Sequence, residues 1–132
     1  MPLTALSFAF ANLKVGDISV LEAFYTGALG FVVSTRIEVD NGAAPMRELF
    51  FAMPGAQKPD FALIQYLNQP APAPGEALLS FMVADLEASI AAVEAHGGRD
   101  LTGAIEAPEW NMRLAFVTDP EGHQIELMQT IA

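Results

Sequence analysis

The sequence predicts one α+β domain made of two halves that each run in the order βαβββ. Two helical stretches, each opened by an aspartate and followed by glycine, are flanked by β-rich runs in the same order. The halves align at an offset of 68 positions, which places Asp17 on Asp85 and Gly30 on Gly98. A proline-rich stretch at 68–75 separates them. We therefore expect module one at 1–67, a linker at 68–75 and module two at 76–132.

The first half opens with a predicted strand at 6–13, where alternation places Phe8, Phe10 and Asn12 on one face. Asp17 is the expected N-cap of a helix that presents one apolar stripe and ends at Gly30. Runs rich in β-branched and aromatic residues then predict strands at 31–40, 46–53 and 61–67. These elements make up the first βαβββ unit.

The linker has prolines at alternate positions, which remove the donors that a strand ladder needs and predict an extended chain. The second half then repeats the order, with a strand at 77–83 and a helix that Asp85 opens and Gly97-Gly98 ends. Strands are predicted at 98–105, 111–117 and 124–129.

The last two strands are joined by Asp119-Pro120-Glu121-Gly122, a sequence that suits a reversing turn. In the strand that follows, Ile125 and Leu127 share one face, and Glu126 lies on the other between Gln124 and Met128. Glu126 would then face a cavity among partly apolar neighbours. The alternative is an edge strand whose polar face meets water.

Composition limits the possible partners. Of 132 residues, 52% are hydrophobic, which is enough for a core, and the net charge of −10 disfavours nucleic acid and anionic membranes. An acidic surface attracts cationic small molecules or only keeps the protein soluble. No cysteine is present and no apolar run approaches the length of a membrane span. We expect a soluble, cytoplasmic protein.

The motif Asp-Pro-x-Gly-x-x-Ile-Glu-Leu at 119–127 resembles the last hairpin of the glyoxalase, bleomycin-resistance and extradiol-dioxygenase superfamily, the vicinal oxygen chelate proteins. The resemblance covers essentially the whole chain. It implies paired βαβββ modules whose curved sheets enclose a cleft, a glutamate at the Glu126 position that commonly binds metal, and assembly as a homodimer.

The metal positions implied by this resemblance are degenerate. Relatives place a histidine or glutamine seven residues before the helix-opening aspartate, where this sequence has Phe10 and Leu78. The last-strand positions fall at Gln65 and Glu126. One carboxylate and one amide are too few ligands for a transition metal, so we expect no metal and no other cofactor.

Neither histidine supplies a missing metal ligand. His123 adjoins the turn and His96 ends a helix, and we interpret both as structural. There is no nucleophilic triad or glycine-rich phosphate loop either.

The remaining pattern predicts an apolar cleft with a few polar anchors, which is how small-molecule sites are built. The expected ligand-binding residues are Phe8, Phe10, Asn12, Gln65, Leu78, Ser80, Trp110, Gln124 and Glu126. In the alternative, Phe10 and Leu78 fill the cleft as core and Trp110 is a surface or dimer contact. Arg47 and Arg113 either enter the cleft or pair with surface carboxylates.

The favoured function is metal-independent binding of a small organic molecule, by sequestration as in the bleomycin-resistance branch. The alternatives are a glyoxalase-type lyase or isomerase, and a structural or regulatory dimer with a filled cleft.

Overall fold

The computed structural model describes residues 4–56 and 58–131. The first half contains β1 (Ala11–Lys14), α1 (Ile18–Leu29), β2 (Val32–Val39), β3 (Met46–Ala52) and β4 (Phe61–Tyr66). The second half contains β5 (Leu79–Met82), α2 (Leu86–Ala95), β6 (Arg99–Asp100), β7 (Ile105–Ala107), a 3-10 turn (Pro108–Trp110), β8 (Met112–Thr118) and β9 (Gln124–Thr130). The predicted α+β class is confirmed, and in both halves one helix follows the first strand and the remaining strands come after it.

Two mixed sheets carry the fold. Sheet A has the strand order β1-β4-β3-β2, and sheet B has the order β5-β9-β8-β6 with β7 also paired to β8. In each sheet the first strand of the half lies parallel to the last, whereas the other neighbours are antiparallel. The corresponding registers place Asn12 opposite Ala62 in sheet A and Ser80 opposite Glu126 in sheet B.

The helix boundaries follow the predicted caps. Asp17 accepts hydrogen bonds from the backbone of Ser19 and Val20, and Gly30 adopts the left-handed conformation that ends α1. Asp85 caps α2 in the same way through the Ala88 N–H. The C-cap of α2 is His96, one residue before the predicted glycine pair, and its Nδ1 lies 2.8 Å from the carbonyl oxygen of Ala92.

Both helices press their apolar stripes into one shared core. Tyr25 of α1 is fully buried and its ring meets Phe31 and Phe61 of the first half. Phe31 and Phe61 in turn contact Phe81 of β5, with ring centroids 5.0 and 5.6 Å apart. Each sheet therefore has a helix-covered face that belongs to the common core and an opposite face, which we call its open face.

The predicted strand at 6–13 is wrong over its first five residues. Leu6 and Phe8 are exposed, and pairing begins only where the Ala11 N–H donates to the Asp60 carbonyl. Since β4 begins at Phe61, the earlier residues have no ladder partner on that side.

The single strand expected at 98–105 is also wrong. Asp100 accepts from the backbone of Thr102 and Gly103, and Gly103 has a positive φ of 66°. This turn separates β6 from β7. The proline-rich segment 68–75 forms no helix or strand, as predicted. No helix in the described ranges is long and apolar enough to cross a membrane.

Candidate functional site

The open face of sheet B has a carboxylate at its centre. Alternation along β9 buries Ile125 and Leu127 in the core and turns Glu126 to the open face, as the sequence predicted. Ser80 Oγ donates a 2.7 Å hydrogen bond to Glu126 Oε1 from the neighbouring strand. Leu78 and Met82, whose side chains alternate to the same face as Ser80, are about half exposed at 49% and 54%. The open face of sheet B is thus an apolar surface with one oriented carboxylate.

The open face of sheet A carries a second carboxylate, Glu48, which the sequence analysis missed. Glu48 is only 8% exposed, and Asn12 Nδ2 donates to its Oε2 at 2.6 Å. These two residues lie on β1 and β3, with β4 between them. Asn12 is opposite Ala62 and Glu48 is opposite Ile64, so the contact crosses β4 diagonally.

Glu48 could have been found by the alternation that identified Glu126. In β3, Leu49 and Phe51 are buried in the core, which turns Glu48 and Phe50 to the other face. The partner Asn12 was predicted to face the cleft, and the structure brings it to this carboxylate.

Gln65 lies on the opposite face of β4 from Ala62. Its Oε1 accepts from the backbone N–H of Ile18 at 3.0 Å and caps α1. Gln129 does the same for α2 through the N–H of Leu86 at 2.8 Å. The counterpart of Gln65 is therefore Gln129, and by strand register the counterpart of Glu126 is Ala62. The prediction that Gln65 lies on the cleft face with Glu126 is therefore wrong, because its side chain is turned to the start of α1.

The other predicted residues are divided between the two faces and the surface. Phe10 is half-buried and its ring packs edge-on against Phe50 at 4.9 Å, beside the Asn12–Glu48 pair. Gln124 is exposed at the start of β9. Phe8 and Trp110 are 76% and 75% exposed and join neither group.

The first strands of the two halves lie near each other. A cavity of about 340 Å³ is lined by Ala11, Met53, Asp60 and Phe61 on one side and by residues 79–82 on the other. Ser80 thus borders the junction between the halves as well as contacting Glu126.

A buried polar network also joins the two halves. Tyr25 of α1 donates to Asp119 Oδ2 at 2.8 Å, and His123 Nδ1 lies 2.8 Å from the same oxygen. Burial raises the pKa of Tyr25 well above 10, reinforced by the negative charge of Asp119. For His123, burial opposes the charged form, but the hydrogen bond and charge of Asp119 outweigh it and raise the pKa. This network supports the interpretation of His123 as structural.

Both arginines considered for the cleft pair with carboxylates instead. Arg47 binds Asp40 at 2.8 Å, and Arg113 binds Glu87 and Glu106. The Arg113 hydrogen bond lowers the pKa of Glu87 to about 2. Neither arginine is on the open faces.

Comparison with known proteins agrees with this architecture. A family model described as the Glyoxalase/Bleomycin resistance protein/Dioxygenase superfamily matches residues 7–127. The chain belongs to this superfamily. No curated protein matches the sequence.

Three solved structures illustrate the superfamily fold. A glyoxalase family protein from Bacillus cereus is 17% identical with a TM-score of 0.84, and the match covers 98% of this chain and 97% of that one. The trypanothione-dependent glyoxalase I of Leishmania major is 23% identical with a TM-score of 0.73, covering 95% and 87%. A mutant glyoxalase I from Zea mays is 22% identical with a TM-score of 0.71, covering 89% of this chain and 44% of that one. These likenesses show the fold alone.

The residues present do not fit the metal centre that superfamily membership implies. Phe10 and Leu78 have no donor atoms, the Gln65 oxygen is bound to α1, and Ala62 stands where a counterpart of Glu126 would be. In the ranges 4–56 and 58–131, no three His, Cys, Asp or Glu side chains lie together as a metal-binding group. Glu126 is left as a single carboxylate, which falls short of the usual ligand set.

Proposed function

We propose that this superfamily member binds a small organic molecule without a metal and acts by sequestering it. The observation that carries the proposal is the pair of anchored carboxylates on the open faces, Glu48 held by Asn12 and Glu126 held by Ser80. Each lies among apolar side chains and is oriented by a single polar neighbour. Apolar surface with a few fixed polar groups is the usual make-up of a small-molecule site.

We further propose that the protein works as a homodimer that covers the open faces. Leu78, Met82 and Trp110 are exposed on the sheet B half, and apolar groups of this size gain stability when a partner removes them from water. A second copy would turn two shallow faces into enclosed space.

A panel of small organic compounds tests the binding function by thermal shift. A ligand at about 100 times its Kd stabilises the folded state by about 2.7 kcal/mol, which is readily measured. Glu126→Gln should weaken any ligand held on sheet B, whereas Glu94→Gln removes the same charge from an exposed site on α2 and serves as its matched control. A broad panel that yields no ligand would reject the proposal and favour a structural or regulatory dimer.

Elemental analysis of the purified protein tests the metal-independent part. We expect no stoichiometric Zn, Ni, Fe or Mn, because two of the four ligand positions are Phe10 and Leu78. One tightly bound metal ion per chain that is lost in Glu126→Ala would instead support a glyoxalase-type enzyme.

A further inference from the structure

The strongest unassigned feature is the buried carboxylate of Glu48. Burying a carboxylate costs free energy unless hydrogen bonds or an opposite charge compensate it. Among the described residues, Asn12 is the only side chain that donates to Glu48, and no salt bridge there includes Glu48. Its sequence neighbour Arg47 is directed to Asp40 and Glu38 on the opposite face of β3. Lys14 lies on the same face, on the other side of Ile64, but its Nζ is 5.9 Å from the Tyr66 ring centroid and forms no salt bridge with Glu48 among the described residues.

The second oxygen of Glu48 is not fully buried. In the described part of the chain, every fully buried side-chain oxygen or nitrogen has a hydrogen-bond partner. Oε2 is the atom bonded to Asn12, and no described donor reaches Oε1. It follows that Oε1 is not sealed off, although Glu48 as a whole is only 8% exposed.

The orientation of the Asn12 amide adds a second acceptor. A carboxylate accepts only, so the Asn12 nitrogen must face Glu48 and its carbonyl oxygen must point elsewhere. No described group donates to that oxygen. Glu48 Oε1 and Asn12 Oδ1 together thus present acceptors without donors, an arrangement suited to a donor-rich cation and unsuited to an anion.

The surroundings suit the apolar part of such a ligand. Phe10 and Phe50 pack edge-on beside the pair. Asn12, but neither Glu48 nor Phe10, also lines a neighbouring cavity of about 540 Å³ whose far wall is the proline-rich segment 72–75. Lys14 and Glu76, which carry opposite charges, both line that neighbouring cavity.

We propose that the open face of sheet A binds organic ammonium compounds, with the ammonium on Glu48 Oε1 and Asn12 Oδ1 and an aromatic or aliphatic body beside Phe10. This inference rests on the proposed binding function and adds its ligand class and its location. The net charge of −10 favours the approach of such cations over anions.

Three matched probes test the proposal on the intact protein: 2-phenylethylammonium, neutral 2-phenylethanol and anionic phenylacetate. Each is used at about 10 mM, since compounds of this size bind with Kd values of about 1 mM. The ammonium should raise the melting temperature more than the alcohol does, and phenylacetate should have no effect. Glu48→Gln should weaken ammonium binding about tenfold to a hundredfold, as expected for loss of a charged hydrogen bond. Glu94→Gln, with the same change in net charge, should bind as the wild type does.

A measurement on the wild-type protein covers the case in which Glu48→Gln does not fold. The side-chain amide signals of Asn12 should shift in NMR spectra as 2-phenylethylammonium is added. Ammonium shifts confined to other residues would overturn the inference, as would equal binding by Glu48→Gln. Binding of the alcohol or phenylacetate without a preference for the ammonium would overturn the ligand class while leaving the proposed binding function intact. If none of the three probes changes the melting temperature, the inference is rejected. The wider compound panel would then test the proposed function by itself.

Discussion

At the scale of single residues, Gly98 is the glycine where the packing leaves the least room for a side chain. A Cβ atom there would lie 2.3 Å from the backbone oxygen of Thr118, 2.6 Å from Val93 and 2.9 Å from Phe24. Two of these neighbours are core side chains and the third is the backbone of β8. The glycine is needed because α2, β8 and α1 converge on it.

Gly98→Ala should therefore destabilise the fold by about 1–3 kcal/mol, the usual cost of overpacking, and more if the backbone must shift. Urea unfolding measures the change. Gly16→Ala is the matched control, because its Cβ would lie 3.5 Å from Glu121 Oε2, an ordinary contact, and should change stability by less than about 0.5 kcal/mol. If Gly98→Ala lowers the unfolding free energy no more than Gly16→Ala does, the packing of α2, β8 and α1 around Gly98 is looser than the structure indicates.

At the scale of elements, each helix begins on a glutamine from the last strand of its own half. The first N–H groups of a helix lack intrahelical partners, and Gln65 and Gln129 each supply an acceptor for one of them. Each glutamine thereby joins the start of a helix to the end of the last strand in the same half. Neither role requires a ligand.

Gln65→Ala should lower the unfolding free energy by about 1 kcal/mol, as loss of a cap usually does, and leave ligand binding on the open faces unchanged. Gln129→Ala should behave in the same way, and denaturant titration with a binding assay compares the two. If Gln65→Ala weakens ligand binding while stability is unchanged, Gln65 belongs to the binding site.

The hairpin between β8 and β9 ties the second half to the first. The Glu121 carboxylate accepts from the backbone N–H groups of Gly16 and Asp17 at the start of α1. Asp119 accepts from Tyr25 of α1. Polar groups of this turn therefore contact α1 and the residues that lead into it.

The raised pKa of His123 makes part of this junction depend on pH. A folded-state pKa above the ordinary value of about 6.5 means that the folded protein holds the proton more tightly than the unfolded chain. The stability from this proton is fully present below about pH 6.5 and is lost as pH rises through the folded pKa.

His123→Gln should consequently cost more stability at about pH 6 than at about pH 9, measured by denaturant unfolding against the wild type. A difference that stays constant over this range would mean that His123 contributes as a neutral ring. A difference that grows with pH would contradict the direction of the shift.

At the scale of the whole molecule, the two halves share one core. Its buried cluster includes Phe24 and Phe61 from the first half and Val93, Val117 and Leu127 from the second. Neither half keeps its apolar surface covered without the other. The polar junction at Asp119 is buried within the same region.

We expect the chain to unfold in a single cooperative transition. Methyl NMR signals from β4 and from β9 should be lost at the same urea concentration, coincident with the far-ultraviolet circular dichroism. Two separate midpoints would show that the halves are independent units joined by the segment 68–75.

The sequence by itself determined the class, the order of elements and most of their boundaries. Asp17, Gly30 and Asp85 act through hydrogen bonds or dihedral angles within a few residues, so their effects can be read locally. The exposure of Glu126 was equally local, because it follows from the period of two along one strand.

Only the tertiary structure decided how side chains distant in sequence were combined. Asn12 and Glu48 are 36 positions apart and meet across β4, the strand that lies between β1 and β3. Gln65 caps a helix 47 positions earlier instead of facing the cleft. Such contacts depend on the order and register of the strands, and neither is a property of a local stretch of sequence.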